Sequence, residues 1–424
     1  LDRETEIDAT VGRGADCGKA AIIRCLETGN SLFSAVSAGR KNRWNHRGLW
    51  HKRKRTQNVR RWQVARDSLE CHPVGRRVGN GMTQAERALD GMTGPMRARL
   101  AARIDTIPLF AHAYAWHLNF RFGDASPVDL LHDAASRGLF GVKIHVEDGE
   151  TRSLLHATPA ARARFGAVAR DLGLRVHVET SSTDVADLRA AIAVALDTGA
   201  ESVRTYPRHA GRVSEILRRS VADLRQLPAL DPDGRLDFLL EQHEDLTSTE
   251  LMRLLAQVGN PRLTLLYDFG NMINAYERPE AALAVMAPKI TDVHIKDVVI
   301  LEDRGGWAHR ACRSGEGDID FHDLLAQLLL LGEAAPQVRA FALEEENEMI
   351  APAYRFPDEA ADPLIPPREA STTLLPPGEA LADRLARERD EAAAQLAYVR
   401  GVLAELKQAA ARITAPAADT GADR

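Results

Sequence analysis

Four side chains in the C-terminal half of the chain could together bind a divalent cation: Glu241, Asp268, His294 and Glu344. Each stands at or beside the end of a short apolar, β-rich run. Three carboxylates and one imidazole make a mainly oxygen-donor set with one nitrogen, which suits Mn²⁺, Mg²⁺ or Co²⁺ better than a closed thiolate site for zinc. The expected cofactor is therefore one divalent ion, Mn²⁺ or Mg²⁺ first, with Co²⁺ and Zn²⁺ compatible. A lone Glu or His at a strand end is ordinarily a salt-bridge or capping partner. Four at equivalent depth on four consecutive runs would be four coincidences, and a shared ion is the simpler account.

Further polar residues occupy neighbouring run ends. Lys143 and His145, His177 and Glu179, Glu241 and His243, and His294 and Lys296 are each two residues apart, which puts both members of a pair on one face of a strand. Lys143, His145, His177, His243, Asn271 and Lys296 are the candidate substrate contacts. The two lysines could bind hydroxyl, carboxylate or phosphate groups or steady an oxyanion; pairing with a nearby Glu is an equal alternative. His243, beside Glu241, reads as a partner that orients that carboxylate. Glu179 reads either as a site group or as a buried partner of Arg204. Trp116 and Trp307 fall in loop positions that suit an aromatic wall against a sugar face or ordinary packing.

The elements that must position these residues are an alternation of β-rich runs and amphipathic helices. Eight runs can be read: Ile107 to Ala115, Phe140 to Val146, Leu174 to Glu179, Ser202 to Thr205, Leu236 to Glu241, Leu263 to Asp268, Thr291 to Ile295 and Val338 to Glu344. Helices are expected between them, as at Pro127 to Ser136, Pro159 to Leu172 and Ser248 to Val258, with Ser126-Pro127, Thr158-Pro159 and the Thr247–Glu250 capping box as start signals. The expected fold class is α/β, a (β/α)8 TIM barrel, in which polar residues at strand C-termini share one mouth. A doubly wound sheet is the runner-up, and no Gly-x-Gly-x-x-Gly follows the first run to support it.

Composition divides the chain. It has 424 residues, 45% hydrophobic and 27% charged, which excludes disordered and collagen-like classes. Residues 1–80 hold 17 Lys+Arg against 8 Asp+Glu, although the whole chain carries −5. Residues 1–81 lack apolar periodicity and read as a disordered or non-native leader, since Met82 opens the first ordinary helical pattern; a basic, Trp-interleaved nucleic-acid arm is the alternative. The barrel domain is expected over 82–350. Seven of the 20 prolines fall in 351–378, a strap or linker. A charged helix follows over 379–414, and 415–424 reads as a disordered tail. In that helix Ala392, Leu396, Val399, Leu403, Leu406, Ala410 and Ile413 form a heptad-like seam, open to packing on the barrel, on a partner or in a zipper.

Cys17, Cys25, Cys71 and Cys312 are too few and too scattered for a disulfide framework, and a reducing, cytoplasmic setting fits. No apolar run reaches the roughly 18 to 20 residues of a membrane span.

The segments Glu241-Gln-His-Glu-Asp-Leu-Thr, Tyr267-Asp-Phe-Gly-Asn271, Asp292-Val-His-Ile-Lys-Asp297, Gly315-Glu-Gly-Asp-Ile-Asp-Phe321 and Phe341-Ala-Leu-Glu-Glu345 resemble the successive motifs of the xylose isomerase-like TIM-barrel superfamily. The branch they look most like is the sugar phosphate isomerase/epimerase group. The resemblance covers about residues 105–350. It implies Glu241, Asp268, His294 and Glu344 as metal ligands, with Glu345 directly following and equally placed by sequence at the eighth strand. It also implies Glu241 and Glu344 as the acid/base pair exchanging a proton beside a carbonyl. The implied function is isomerisation, epimerisation or dehydration of a small sugar-like polyhydroxy carbonyl compound, by a chain that forms at least a dimer and needs no nucleic acid or membrane. The apurinic-site endonuclease branch uses three zinc ions and extra histidines. Here Asn271 stands where one would fall, and the 315–321 loop offers Asp318 and Asp320 but no His. Asn271 also replaces a histidine common in ketose 3-epimerases, which weighs against a free ketohexose. A zinc nuclease and a non-catalytic barrel scaffold are the alternative readings.

Overall fold

Each apolar run becomes one strand of a closed cylinder. The structure, a computed structural model, describes residues 81–346, 348–368 and 379–414. Helices α1 (Gln84–Ala88) and α2 (Gly94–Ile104) lead into β1 (Leu109–His112), α3 (His117–Phe122) and α4 (Pro127–Ser136). The chain continues through β2 (Gly141–His145), α5 (Pro159–Asp171), β3 (Arg175–Glu179), α6 (Val185–Thr198) and β4 (Ser202–Thr205). Next come β5 (Gly211–Arg212), α7 (Val213–Leu224), α8 (Leu227–Leu230), β6 (Asp237–Glu241), α9 (Ser248–Val258), β7 (Leu263–Asp268) and α10 (Pro279–Met286). After them lie β8 (Ile290–Ile295), β9 (Asp297–Asp303), β10 (Gly306–Cys312), α11 (Phe321–Leu330) and β11 (Ala340–Leu343). Last are β12 (Ile350–Ala351), β13 (Leu364–Ile365) and α12 (Leu381–Thr414).

The barrel runs β1-β11-β8-β7-β6-β4-β3-β2 and closes, with every neighbouring pair parallel. It is a (β/α)8 TIM barrel. Buried on both faces, its strands are dominated by apolar residues, as parallel sheets require. The expected helix starts are realised in part by side-chain caps: Thr247 Oγ1 accepts from Glu250 N at 3.3 Å while Glu250 accepts from Thr247 N at 2.8 Å.

The strap traces the rim of the mouth. Ile350–Ala351 pairs with β10. Asn274 Nδ2 then donates to the carbonyls of Ala351 and Pro352 at 2.9 and 2.8 Å. Arg355 bridges to Glu250 at the start of α9, and Leu364–Ile365 pairs with β5. Arg368 ends this stretch on the β6 loop, bonded to His243 and Glu244.

The chain then completes the wall. Helix α12 lies outside β11 and β1, packed on α1, α2 and α11, and Gln395 Nε2 donates to the Ile295 carbonyl at 2.9 Å. Its buried positions from 395 onward, Gln395, Leu396, Val399, Val402, Leu403, Leu406, Ala409 and Ala410, form a face broader than a two-position seam. That breadth suits a globular surface rather than a zipper, because a strict a/d stripe would leave Val402 and Ala409 in water. Glu388 fastens its upper end, accepting from the backbone N–H groups of Leu118 and Asn119 at 2.7 and 2.8 Å. The proposed leader (1–81), the strap's end at 369–378 and the tail (415–424) lie outside the described residues, save Gly81.

Candidate metal and active site

The strand ends converge as a buried ring of charge. Glu241, Asp268, His294 and Glu344 close β6, β7, β8 and β11, and all are at most 5% exposed. His294 Nδ1 stands 3.5 Å from Glu241 Oε1 and 3.2 Å from Glu344 Oε2. Glu241, Asp268 and His294 each offer a ligand atom within 4.8 Å of the others, and His112, His294 and Glu344 form an overlapping group. Asp268 is aimed by its own loop: Oδ1 accepts from Gly270 N and Asn271 N, both at 2.7 Å, which leaves Oδ2 facing inward.

One atom on each of the four side chains is buried and makes no aligned hydrogen bond, only ion pairs: Glu241 Oε2 with Arg204 at 3.2 Å, Asp268 Oδ2 with Lys296 at 3.3 Å, and His294 Nδ1 and Glu344 Oε2 with each other at 3.2 Å. Buried polar atoms are normally held in aligned hydrogen bonds, so four converging side chains that each keep an atom outside one form a site a shared cation would complete. A divalent cation fits a donor set of three oxygens and one nitrogen. The eighth-strand ambiguity resolves by direction. Glu344 faces His294, whereas Glu345 Oε2 accepts from Ser314 Oγ at 2.9 Å, outside the ring.

Glu179, at the end of β3, organises the far side of His294. Its Oε1 meets His294 Nε2 at 3.0 Å, and its Oε2 meets His112 Nε2 at 2.9 Å and Arg204. His112 Nδ1 accepts from Tyr114 N at 3.0 Å, so the ring proton lies on Nε2 and is donated to Glu179. Burial works against the charge on Glu179, but Arg204, His112 and His294 overcome it and hold the carboxyl well below the usual range. For His294, burial is likewise outweighed: Glu344 and Glu179 raise its affinity for a proton well above the ordinary value. The same carboxylates would attract a metal cation to the place of that Nδ1 proton. Burial pushes Asp268 up to about 7, with Lys296 pulling down and Glu344 and Glu241 pushing up.

The six expected substrate contacts separate. Lys296 and Asn271 belong to the ring: Lys296 Nζ donates to Asn271 Oδ1 at 3.0 Å, and Asn271 Nδ2 to Glu241 Oε1 at 3.1 Å. His145 lies at the rim, where its Nδ1 accepts from Glu147 N and its Nε2 meets Ser181 Oγ at 2.9 Å. Burial, then Arg204, push this imidazole down to about 3. His243 is stacked on Tyr206 with centroids 3.9 Å apart and is held by Arg368, not by Glu241; burial and Arg368 keep it well below its ordinary value.

Lys143 and His177 depart from expectation. In register, His145 lies opposite Glu179 and Lys143 opposite His177, so the latter pair sits one layer deeper. There Lys143 Nζ and His177 Nδ1 both meet Asp292 Oδ1, at 2.9 and 3.1 Å, and Lys143 is fully buried. A substrate at the mouth meets the ring first. The two-residue period of a strand put both layers on one face but did not say where the barrel ends.

Two other features take packing roles. Trp116 lies beneath Arg389 of α12, 4.9 Å from ring to guanidinium carbon, and Trp307 packs on Tyr276 with centroids 4.3 Å apart. The 315–321 loop wraps Asp297, which accepts from Gly315 N at 2.8 Å and Gly317 N at 3.0 Å. A Cβ on Gly317 would come 2.2 Å from Asp297 Oδ1, so this close approach demands glycine. Sequence reasoning named Arg204 only as a partner and missed Tyr206 and Glu346. The signal for Glu346 was its place in the Glu344–Glu346 run; Lys296 Nζ reaches its Oε2 at 3.3 Å.

Fold and motifs together define the class: the chain belongs to the xylose isomerase-like TIM-barrel superfamily, whose family description, xylose isomerase-like TIM barrel, matches residues 131–334. Among individual relatives, the protein YihM of Escherichia coli (strain K12) is 47% identical over 312 residues, covering 74% of this chain and 96% of that protein. A 3-oxo-isoapionate decarboxylase of Pectobacterium atrosepticum is 22% identical over 220 residues, 51% of this chain and 78% of that enzyme. A solved xylose isomerase-like TIM barrel protein from Mycobacterium smegmatis, in complex with magnesium, is 15% identical with a TM-score of 0.47, covering 72% of this chain and 98% of that one. No helix among the described residues is long and apolar enough to cross a membrane.

Proposed function

We propose that the protein is a divalent-metal-dependent isomerase or epimerase, or a dehydratase, acting on a small sugar-like polyhydroxy carbonyl compound. The observation that carries this is the convergence of Glu241, Asp268, His294 and Glu344, each with a buried atom outside any aligned hydrogen bond. These residues would hold the ion, Mn²⁺ or Mg²⁺ by the hardness of the oxygen donors. When bound, it would stabilise negative charge developing on a substrate carbonyl oxygen.

The chain's own groups do the rest. Glu241 and Glu344 come from strands separated by β7 and β8 yet approach the same imidazole nitrogen. A substrate between them has a carboxylate on either side, so one can take a proton from the carbon beside the carbonyl while the other returns one. Glu179 fixes the His294 ring, and Asn271 and Lys296 orient Glu241 and Asp268 from the rim. Arg204 Nε, 3.2 Å from Glu241 Oε2, limits the excess negative charge of the ring. A relative named for decarboxylating a 3-oxo compound is consistent with chemistry beside a carbonyl.

The test is to strip the protein with chelator, reload it with Mn²⁺ or Mg²⁺, and follow solvent deuterium entering ketoses, inososes and hydroxypyruvate. One exchangeable ion per chain and deuterium at a carbon beside a carbonyl are expected. Three zinc ions per chain would replace this reading by an abasic-site nuclease, and no bound ion by a scaffold.

A further inference from the structure

We propose that the substrate is an anion, a polyhydroxy carbonyl compound carrying a carboxylate or phosphate, and that Arg208 receives its charged group. The proposal builds on the isomerase reading of the same site and narrows its substrate class.

Charge matching at the mouth carries the inference. Arg204 is engaged by Glu179 and Glu241, Lys296 by Asp268 and Glu346, and Arg368 by Glu244 and Asp245. Arg208 lies on the loop leaving β4 and is exposed. It makes one side-chain hydrogen bond, Nη1 donating to Tyr206 Oη at 2.8 Å, and has no carboxylate partner among the described residues. The Tyr206 ring is surrounded by three guanidiniums: Arg204, Arg208 and Arg368 lie 5.1, 5.6 and 5.8 Å from its centroid. Two of the three are matched, and the third is offered outward.

The surroundings suit an anion at this point. Tyr206 is buried and stacked on His243, so the phenol that steadies Arg208 is itself fixed. A guanidinium held by one nitrogen keeps further N–H groups for a bidentate carboxylate or phosphate contact. Nearby, the His145 Nδ1 lone pair is used by Glu147 N, so Nε2 carries the ring proton and donates it to Ser181 Oγ. The Ser181 hydroxyl proton is then available to a ligand oxygen.

The full-length protein tests this with three probes sharing a ketohexose frame: D-fructose, D-fructose 6-phosphate and D-tagaturonate. Their affinities are measured by calorimetry for the wild type, Arg208→Gln and Arg208→Lys, each with Mn²⁺ and after chelation. At least one anionic probe is expected to bind about tenfold or more tighter than D-fructose, in keeping with a charge-assisted bidentate contact. Whichever anion is preferred identifies the group, carboxylate or phosphate. Arg208→Gln should abolish the preference and Arg208→Lys restore part of it. Equal affinities for all probes in the wild type, absence of binding included, would overturn the proposal, as would a preference undiminished in Arg208→Gln. Failure of the metal reading is separate: it would appear as absence of Mn²⁺ binding, whereas the anion preference is also read in chelated protein.

Discussion

Two charged layers cross the barrel interior, one strand step of two residues apart, roughly 6 to 7 Å. In the deeper one, Lys143 and His177 converge on Asp292, and positive and negative groups answer each other directly. In the upper one, carboxylates predominate, and four ring atoms make ion pairs but no aligned hydrogen bond. Both layers are buried and ionic, and each keeps buried atoms outside aligned hydrogen bonds, His177 Nε2 and Asp292 Oδ2 below as well as four atoms above; only the upper gathers metal-ligand atoms within 4.8 Å of one another. Neither buried charge nor an unmatched atom alone therefore marks the functional layer; the convergence of ligand-type side chains does.

The comparison can be broken from either side. The largest effect is expected at the mouth: Glu241→Gln or Glu344→Gln should cost about 10²- to 10⁴-fold in the rate of solvent deuterium exchange, the range for losing a general acid or base. Metal-free Glu344→Gln should also lose some unfolding stability in urea at neutral pH, because, against the effect of burial, His294 and Lys296 hold the Glu344 carboxyl well below its usual range and its charge therefore stabilises the fold. The lower layer should separate stability from metal binding. Lys143→Met strands Asp292 and is expected to lower unfolding stability by about 3 to 5 kcal/mol, while the folded fraction keeps its Mn²⁺ affinity in an electron paramagnetic resonance titration.

Metal addition sharpens the contrast further. Mn²⁺ at a hundred times its dissociation constant should stabilise the wild type by about 2.7 kcal/mol and leave Asp268→Ala nearly unmoved, which a urea midpoint shift would read. Smaller again is Glu179→Gln. This change weakens the carboxylate that orients His294, and Mn²⁺ affinity should fall about 10- to 100-fold; an unchanged affinity would show that His294 is aimed by other means.

Much of the barrel was legible because each strand is a short apolar run closed by turn chemistry, as with Leu263–Asp268, and because proline and capping residues announce helices such as α5 and α9. The ring residues were legible for a related reason, since each ends a run and so points into the common mouth. Depth was not. Lys143 and Glu179 look alike in sequence, polar residues near a run end, and only the stagger between β2 and β3 separates their layers. Nor could sequence read Arg368, whose tie to His243 spans 125 positions and depends on the path of the strap. Helix α12 showed its apolar spacing but not its destination, because a seam of leucines fits a barrel wall as readily as a second helix.

That destination bears on biosynthesis. The wall outside β11 and β1 is supplied by residues 381–414, which follow the strap in the chain. Ribosomes add residues at about 5 to 20 per second, so the flank outside β11 stays uncovered until residues 381–414 have been made. A product that stops short of this helix would present to chaperones and proteases the apolar surface that Leu396, Val399, Leu403 and Leu406 otherwise cover.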